Sequence, residues 1–301
     1  MTAAWVAGTT RARGLVRRRL GPEGARRIAA AGSGEAAVAA LAATPYGHDV
    51  RAGHSPAEAR HAVLATLLWH LRVLAGWLPR EGGGDLRLLA RWFEIANVDE
   101  LLTPPVDAGP EFALGALSTA WPRLRGLSAP AEIRSVLGTS AWGDPGGDLP
   151  RQIQLGMRLS WAVTVADRID PAAPLAAGAA ALLVARERHL QGRDLTGGAR
   201  RRAEALLGEP ALAAGSLPAT AAVLPAGARW ALEGLDRPED LWLGEVRWWR
   251  RLEREGFSHL SDSRFGPAAV LGALAVLTAD ARRARAAVEL AVRGGRGDDV
   301  A

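Results

Sequence analysis

The chain has 301 residues, 49% hydrophobic and 23% charged, enough apolar material for one large core or two modest ones and too much for a disordered chain. All 37 basic residues are arginine and there is no cysteine, which excludes P-loop and Schiff-base lysines, Ser–Lys pairs, kinase-type phosphate-anchoring lysines, thiol nucleophiles, disulfides and Cys-ligated zinc. The net charge of +5 is concentrated: residues 1–30 hold seven arginines against Glu23, leaving 30 arginines and 31 acids in the other 271 residues.

The first expected helix places Trp5, Ala12, Leu15 or Val16, and Leu20 on one side, with Arg11, Arg13, Arg17 and Arg18 elsewhere around it. Such a helix suits contact with a membrane surface, a phosphate or an acidic partner, and equally suits a core helix with a solvated arginine face. Arg-rich, acid-poor residues 1–20 also fit an organellar transit peptide, whereas Trp5 and Val6 are followed too soon by arginine for a secretory h-region. Gly32-Ser-Gly34-Glu-Ala-Ala37 fits G-x-G-x-x-A, but helix-type residues precede it where a dinucleotide site needs a strand, so a turn between helices is expected.

Further along, Leu64, Leu67, Leu71, Leu74 and Leu78 repeat at helical spacing, as do Leu155, Leu159, Ala162, Ala166 and Ile169. Trp242, Val246, Trp249 and Leu252 do the same, leaving Trp248 off that stripe beside Arg247, Arg250 and Arg251. Gly- and Pro-rich breaks separate these stretches and alternating β-branched runs do not occur, so the fold class is all-α. The longest uninterrupted apolar runs, Ala172 to Ala185 and Gly266 to Ala279, fall well short of the roughly 20 residues a membrane helix needs.

A faint repeat runs through this pattern. Leu41-Ala-Ala-Thr-Pro-Tyr46-Gly47 aligns with Leu137-Gly-Thr-Ser-Ala-Trp142-Gly143, each after a short helix and before a long one; Leu260-Ser-Asp-Ser-Arg-Phe265-Gly266 is a looser third copy. The ring would pack under a corner while the glycine ends the helix in the left-handed conformation, although aromatic-Gly is also a common helix stop. Three copies predict three helical lobes, approximately residues 1–110, 111–215 and 216–301.

Reactive constellations are not found. The six histidines (His48, His54, His61, His70, His189, His259) form no H-E-x-x-H and no i, i+3 or i, i+4 pair, and Asp236-Arg-Pro-Glu239-Asp240 reads as acids at a helix start. No Gly-x-Ser-x-Gly occurs. No catalytic, cofactor-binding or metal-binding residue is nominated, and no cofactor is expected.

Four segments together resemble a known family, the C subunit of archaeal and bacterial A/V-type rotary ATPases, called subunit d in eukaryotes. They are Trp5-Val-Ala-Gly-Thr-Thr-Arg11-Ala-Arg13-Gly-Leu15, the Leu41 to Gly47 corner, Ala181-Leu-Leu-Val-Ala-Arg186-Glu-Arg-His-Leu190 with Leu206-Leu-Gly208, and Phe265 to Gly295. Each is weak alone; their order covers nearly the whole chain. The chain departs in lacking the family's usual lysines and in having Ala279-Asp280-Ala281 where the family tends to place Glu-x-Glu. The resemblance implies a funnel-shaped, three-lobed subunit between the rotor shaft and the membrane proteolipid ring, peripheral on the cytoplasmic face, not an enzyme by itself, in ATP-driven proton or ion transport. The alternative is a basic helical protein meeting nucleic acid or an anionic surface through Arg11, Arg13, Arg17 and Arg18; nucleic acid is the less favoured partner because the charge excess is so local.

Overall fold

A computed structural model describes residues 4–104, 109–261 and 264–294, and these are helical, with no strand among the described residues. In chain order the helices are α1 (Ala4–Arg17), α2 (Gly21–Ala29), α3 (Gly34–Ala42), α4 (Pro56–Ala75), α5 (Arg80–Leu102), α6 (Trp121–Leu124), α7 (Pro130–Gly138), α8 (Pro150–Arg168), α9 (Ala173–Ala185), α10 (Gly197–Leu207), α11 (Glu209–Ala213), α12 (Leu217–Val223), α13 (Ala226–Arg229), α14 (Leu241–Ser261) and α15 (Pro267–Val292).

Local chemistry explains many of the boundaries. Ser55 closes a capping box with Glu58 ahead of α4, and Pro56 occupies the first turn, where its missing N–H costs nothing. Ser33 accepts from Ala36 N at the start of α3, so the Gly32-Ser-Gly34 stretch is a capped turn between two helices. Gly208, at φ 84°, closes α10 in a conformation that only glycine adopts readily, and Pro210 opens the next helix. The all-apolar α9 is buried on most of its circumference, as a helix without a polar face must be.

The chain divides into two compact units. The first comprises Met1–Gly83, Val106–Phe112 and Leu252–Ala301; the second comprises Gly84–Pro105 and Ala113–Arg251. In the first unit α15 packs against α1, α2, α3 and α4 through an alanine-rich face, and small side chains let the axes come close. Its approach to the end of α14 is closer still: a Cβ on Gly272 would lie 2.6 Å from Gly256 O. In the second unit α9 packs against α8, α10 and α13.

Two expectations about helix faces change. The first helix ends at Arg17, so Leu20 belongs to the turn that opens α2, and the buried line of α1 is Gly8, Thr9, Ala12 and Val16. In α14 the apolar stripe is turned by one position: Trp242 is 57% exposed, whereas Leu241 and Gly244 are buried. Gly244 accommodates the carbonyl of Ala231 and the side chain of Leu182, and Trp248 follows on that side with its indole N–H donating to Leu175 O at 2.8 Å. A spacing of three or four fits either line, and the close approach at Gly244 decides which one faces the core.

Candidate functional site: two acid-capped aromatic corners and a basic helix face

The Tyr46-Gly47 and Trp142-Gly143 corners are built alike, each within its own unit. After α3, the Thr44 hydroxyl donates to Leu41 O at 2.6 Å and accepts from Tyr46 N at 3.3 Å. After α7, the Ser140 hydroxyl donates to Leu137 O at 2.7 Å and accepts from Trp142 N at 3.1 Å. This side-chain turn aims each ring inward, where its one polar hydrogen must find an acceptor.

The acceptor is in both cases a buried carboxylate distant in sequence. Tyr46 Oη donates to Asp280 Oδ2 at 2.9 Å, and Trp142 Nε1 donates to Glu94 Oε1 at 2.7 Å. Asp280, on α15, is 1% exposed, and Glu94, on α5, is 0% exposed. Each carboxylate also accepts from two consecutive backbone N–H groups at a helix start. For Asp280 these are Leu20 N at 3.1 Å and Gly21 N at 2.7 Å, ahead of α2; for Glu94 they are Thr119 N at 2.6 Å and Ala120 N at 2.7 Å, ahead of α6. Neither helix has a side-chain cap of its own. The distant acid therefore serves as the N-cap, satisfying orphan donors and placing negative charge at the positive end of the helix.

The third aromatic-Gly pair differs. Phe265 carries no polar hydrogen, and its ring lies under the Arg13 guanidinium at 5.6 Å while Arg13 Nη2 donates to Arg264 O at 3.3 Å. The glycines differ as well. Gly143 is left-handed at φ 69°, Gly266 is extended at φ 179°, and Gly47 has no positive φ; there the constraint is space, because a Cβ would lie 2.1 Å from Ala42 O. The left-handed helix stop expected at all three positions thus occurs at Gly143 only.

Burial raises the Tyr46 phenol well above its ordinary pKa, and the Asp280 charge pushes it further in the same direction. Burial also raises Asp280, against the lowering pull of Gly21 N, Tyr46 Oη, Leu20 N and the Arg283 charge.

The four N-terminal arginines separate. Arg13 is engaged at Phe265, while Arg11 and Arg17 on α1, and Arg18 in the turn after it, are exposed. Arg11 lies over the Trp77 ring at 5.4 Å, and Trp77, just past the end of α4, is 51% exposed. About two turns earlier on α4, His48 stacks on Trp69 at 4.1 Å and Trp69 meets His70 at 5.2 Å. Burial lowers the His70 pKa to about 4, with the His48 and Arg18 charges adding to the shift and Asp49 opposing it.

In the second unit, a shallow cleft is lined by Asp99, Glu100, Arg151, Gln154, Arg158 and Glu187, among others. Within it Arg158 pairs with Asp99, and Arg151 lies 4.0 Å from Glu187. Among the described residues no group of three His, Asp or Glu side chains could hold a metal ion, and no helix is long and apolar enough to cross a membrane. No protein-family model and no curated protein matches the chain.

Sequence reasoning found the corner residues and missed Glu94 and Asp280 as their partners. Both acids carried a faint signal, since Glu94 interrupts Trp92-Phe93-Glu94-Ile95 and Asp280 follows directly on an apolar run. An acid within an apolar helical stretch demands a buried partner.

Proposed function

We propose that the chain is a non-catalytic coupling subunit of an A/V-type rotary ATPase, joining the rotor shaft to the membrane proteolipid ring during proton or ion transport. The observation that carries this reading is the recurrence, in both units, of one buried arrangement in which an aromatic corner, a helix start and a distant acid are tied together. A torque-transmitting spacer needs helices cross-braced over long sequence distances and has no need of an open reactive centre. The corner ties cross 234 residues in one copy and 48 in the other. The order of the four family-like segments supports the same assignment. In this reading the subunit sits peripherally on the cytoplasmic face, and its partners are proteins of the shaft and ring.

The reading is tested by co-expressing the chain with the shaft and proteolipid subunits encoded in the same genome. Retention of both on a tagged copy of this chain is expected. A genome without rotary-ATPase genes, or a complete complex assembled without this chain, would overturn it.

A further inference from the structure

One face of the first unit combines features that the coupling reading does not use. On α1, Ala7, Arg11 and Gly14 share a line that Arg18, in the turn just after the helix, continues, flanked by Val6, Thr10 and Arg17; all are exposed except the half-buried Gly14. On α4 and the turn after it, His70, Val73 and Trp77 form a second line, half-buried to exposed. The two lines meet at one end where Arg11 covers the Trp77 ring, and at the other where the Arg18 charge reaches His70. Val6, 43% exposed, adds an aliphatic group to the α1 side of this face.

Arginine outnumbers acid on this face, whose nearest neighbouring carboxylate in sequence is the exposed Glu81 in the first turn of α5. The α1 sequence AWVAGTTRARGLVR contains no acid, and the one acid of α4, Glu58, is held in the capping box of its first turn. Asp49, near His70, is engaged by the His48 ring at 2.8 Å and the Thr66 hydroxyl at 2.9 Å. The face therefore presents guanidinium groups around a half-exposed indole and a valine, with no carboxylate from its own two helices to neutralise them.

We propose that this α1–α4 face binds the surface of a bilayer containing anionic phospholipid. Arg11 and Arg18 would meet headgroup phosphates by charge-assisted hydrogen bonds, while Trp77 and Val6 enter the interfacial layer. An indole with one apolar body and one N–H suits that boundary, and arginine around it suits its phosphates. Single-stranded nucleic acid is less well served, since base stacking calls for successive exposed rings and this face offers Trp77 as its one strongly exposed ring. The inference rests on residues 6–18 and 70–77 and is independent of the rotary-ATPase reading.

The test uses the full chain alone, in co-sedimentation with phosphatidylcholine vesicles and with vesicles containing phosphatidylglycerol, at low and high salt. Binding is expected to the anionic vesicles only and to weaken with salt. Arg11→Gln with Arg18→Gln lowers the partition coefficient about 25-fold, near fivefold for each charge removed close to an anionic surface. Trp77→Ser weakens binding several-fold at constant charge. The control Arg200→Gln with Arg237→Gln removes the same charge from the second unit and leaves binding within about twofold; far-ultraviolet circular dichroism verifies that each variant is folded. No binding to anionic vesicles, equal loss in the control, or unchanged binding after Trp77→Ser would overturn the proposal. Tighter binding to duplex DNA or to an acidic peptide than to anionic vesicles would also overturn it, and would assign the face to that partner.

Discussion

Replacing Asp280 by alanine removes the acceptor of three donors at once: the half-buried Leu20 N and Gly21 N and the buried Tyr46 Oη. Each orphaned donor costs about 1–3 kcal/mol when water cannot replace the lost partner, and the three share one local rearrangement, so their costs do not simply add. The Asp280 side chain is 1% exposed, which leaves little access for water. The expected loss is therefore about 3–5 kcal/mol, a large part of the ~5–15 kcal/mol by which folded domains exceed their unfolded chains. Equilibrium urea unfolding followed by far-ultraviolet circular dichroism measures it, with Asp194→Ala, whose side chain is 88% exposed, as the reference. Asp280→Asn keeps an amide oxygen that can accept part of the donor set, and should fall between the two at about 1–2 kcal/mol. A loss below about 1 kcal/mol for Asp280→Ala, or one equal to that of Asp194→Ala, would refute the remote-cap argument.

The second copy should respond in kind. Tyr46→Phe removes one of the three donors to a buried acid and should cost about 1–2 kcal/mol by the same urea assay; Trp142→Phe removes the equivalent donor and also leaves a cavity, so it should cost more, and the double variant should lose the sum because the two sites share no partner. Gly47→Ala forces a methyl group to within 2.1 Å of Ala42 O and should destabilise by at least about 2 kcal/mol, whereas Gly266→Ala meets nothing within 4 Å and should be near neutral. His70 has a folded-state pKa of about 4, below the unfolded value of about 6.5, so the folded state binds fewer protons between these values. Its contribution is fully present above pH ~6.5 and is lost as pH falls toward ~4; His70→Gln should flatten the pH profile of the unfolding free energy by about 3 kcal/mol over that window, and an unchanged slope would contradict the burial assigned to this ring.

Legibility in the sequence followed how local each determinant was. The α3 and α7 corners were readable because Leu41, Thr44 and Tyr46, like Leu137, Ser140 and Trp142, interact within five residues of chain, and the same hydroxyl-bearing residue type stands at the same spacing in both. Their acids were not, because a carboxylate 234 residues away leaves no periodic trace near the corner it serves. Phe265 matched the ring-Gly pattern but lacks the polar hydrogen that gives the other two rings their buried partner, so matching on aromatic character alone overcounted the repeat. The α14 stripe was misplaced for a related reason. Trp242, Val246 and Trp249 are hydrophobic enough to suggest a core face, but the groove that receives the helix is shaped by the contact of Gly244 with Ala231 O and Leu182, which lies outside α14 itself. The N-terminal arginines read as one cluster in sequence, yet helix geometry sends Arg13 to Phe265 and Arg11 to Trp77.

The proposed coupling of a rotor shaft to a proteolipid ring is tested by affinity purification of the tagged chain from detergent-solubilised membranes of cells expressing the shaft and ring subunits. The account predicts that both co-purify in fixed stoichiometry and that both are lost together when Glu94→Ala and Asp280→Ala loosen the two braced corners. Recovery of the folded chain alone, with shaft and ring assembled elsewhere in the same extract, would contradict it.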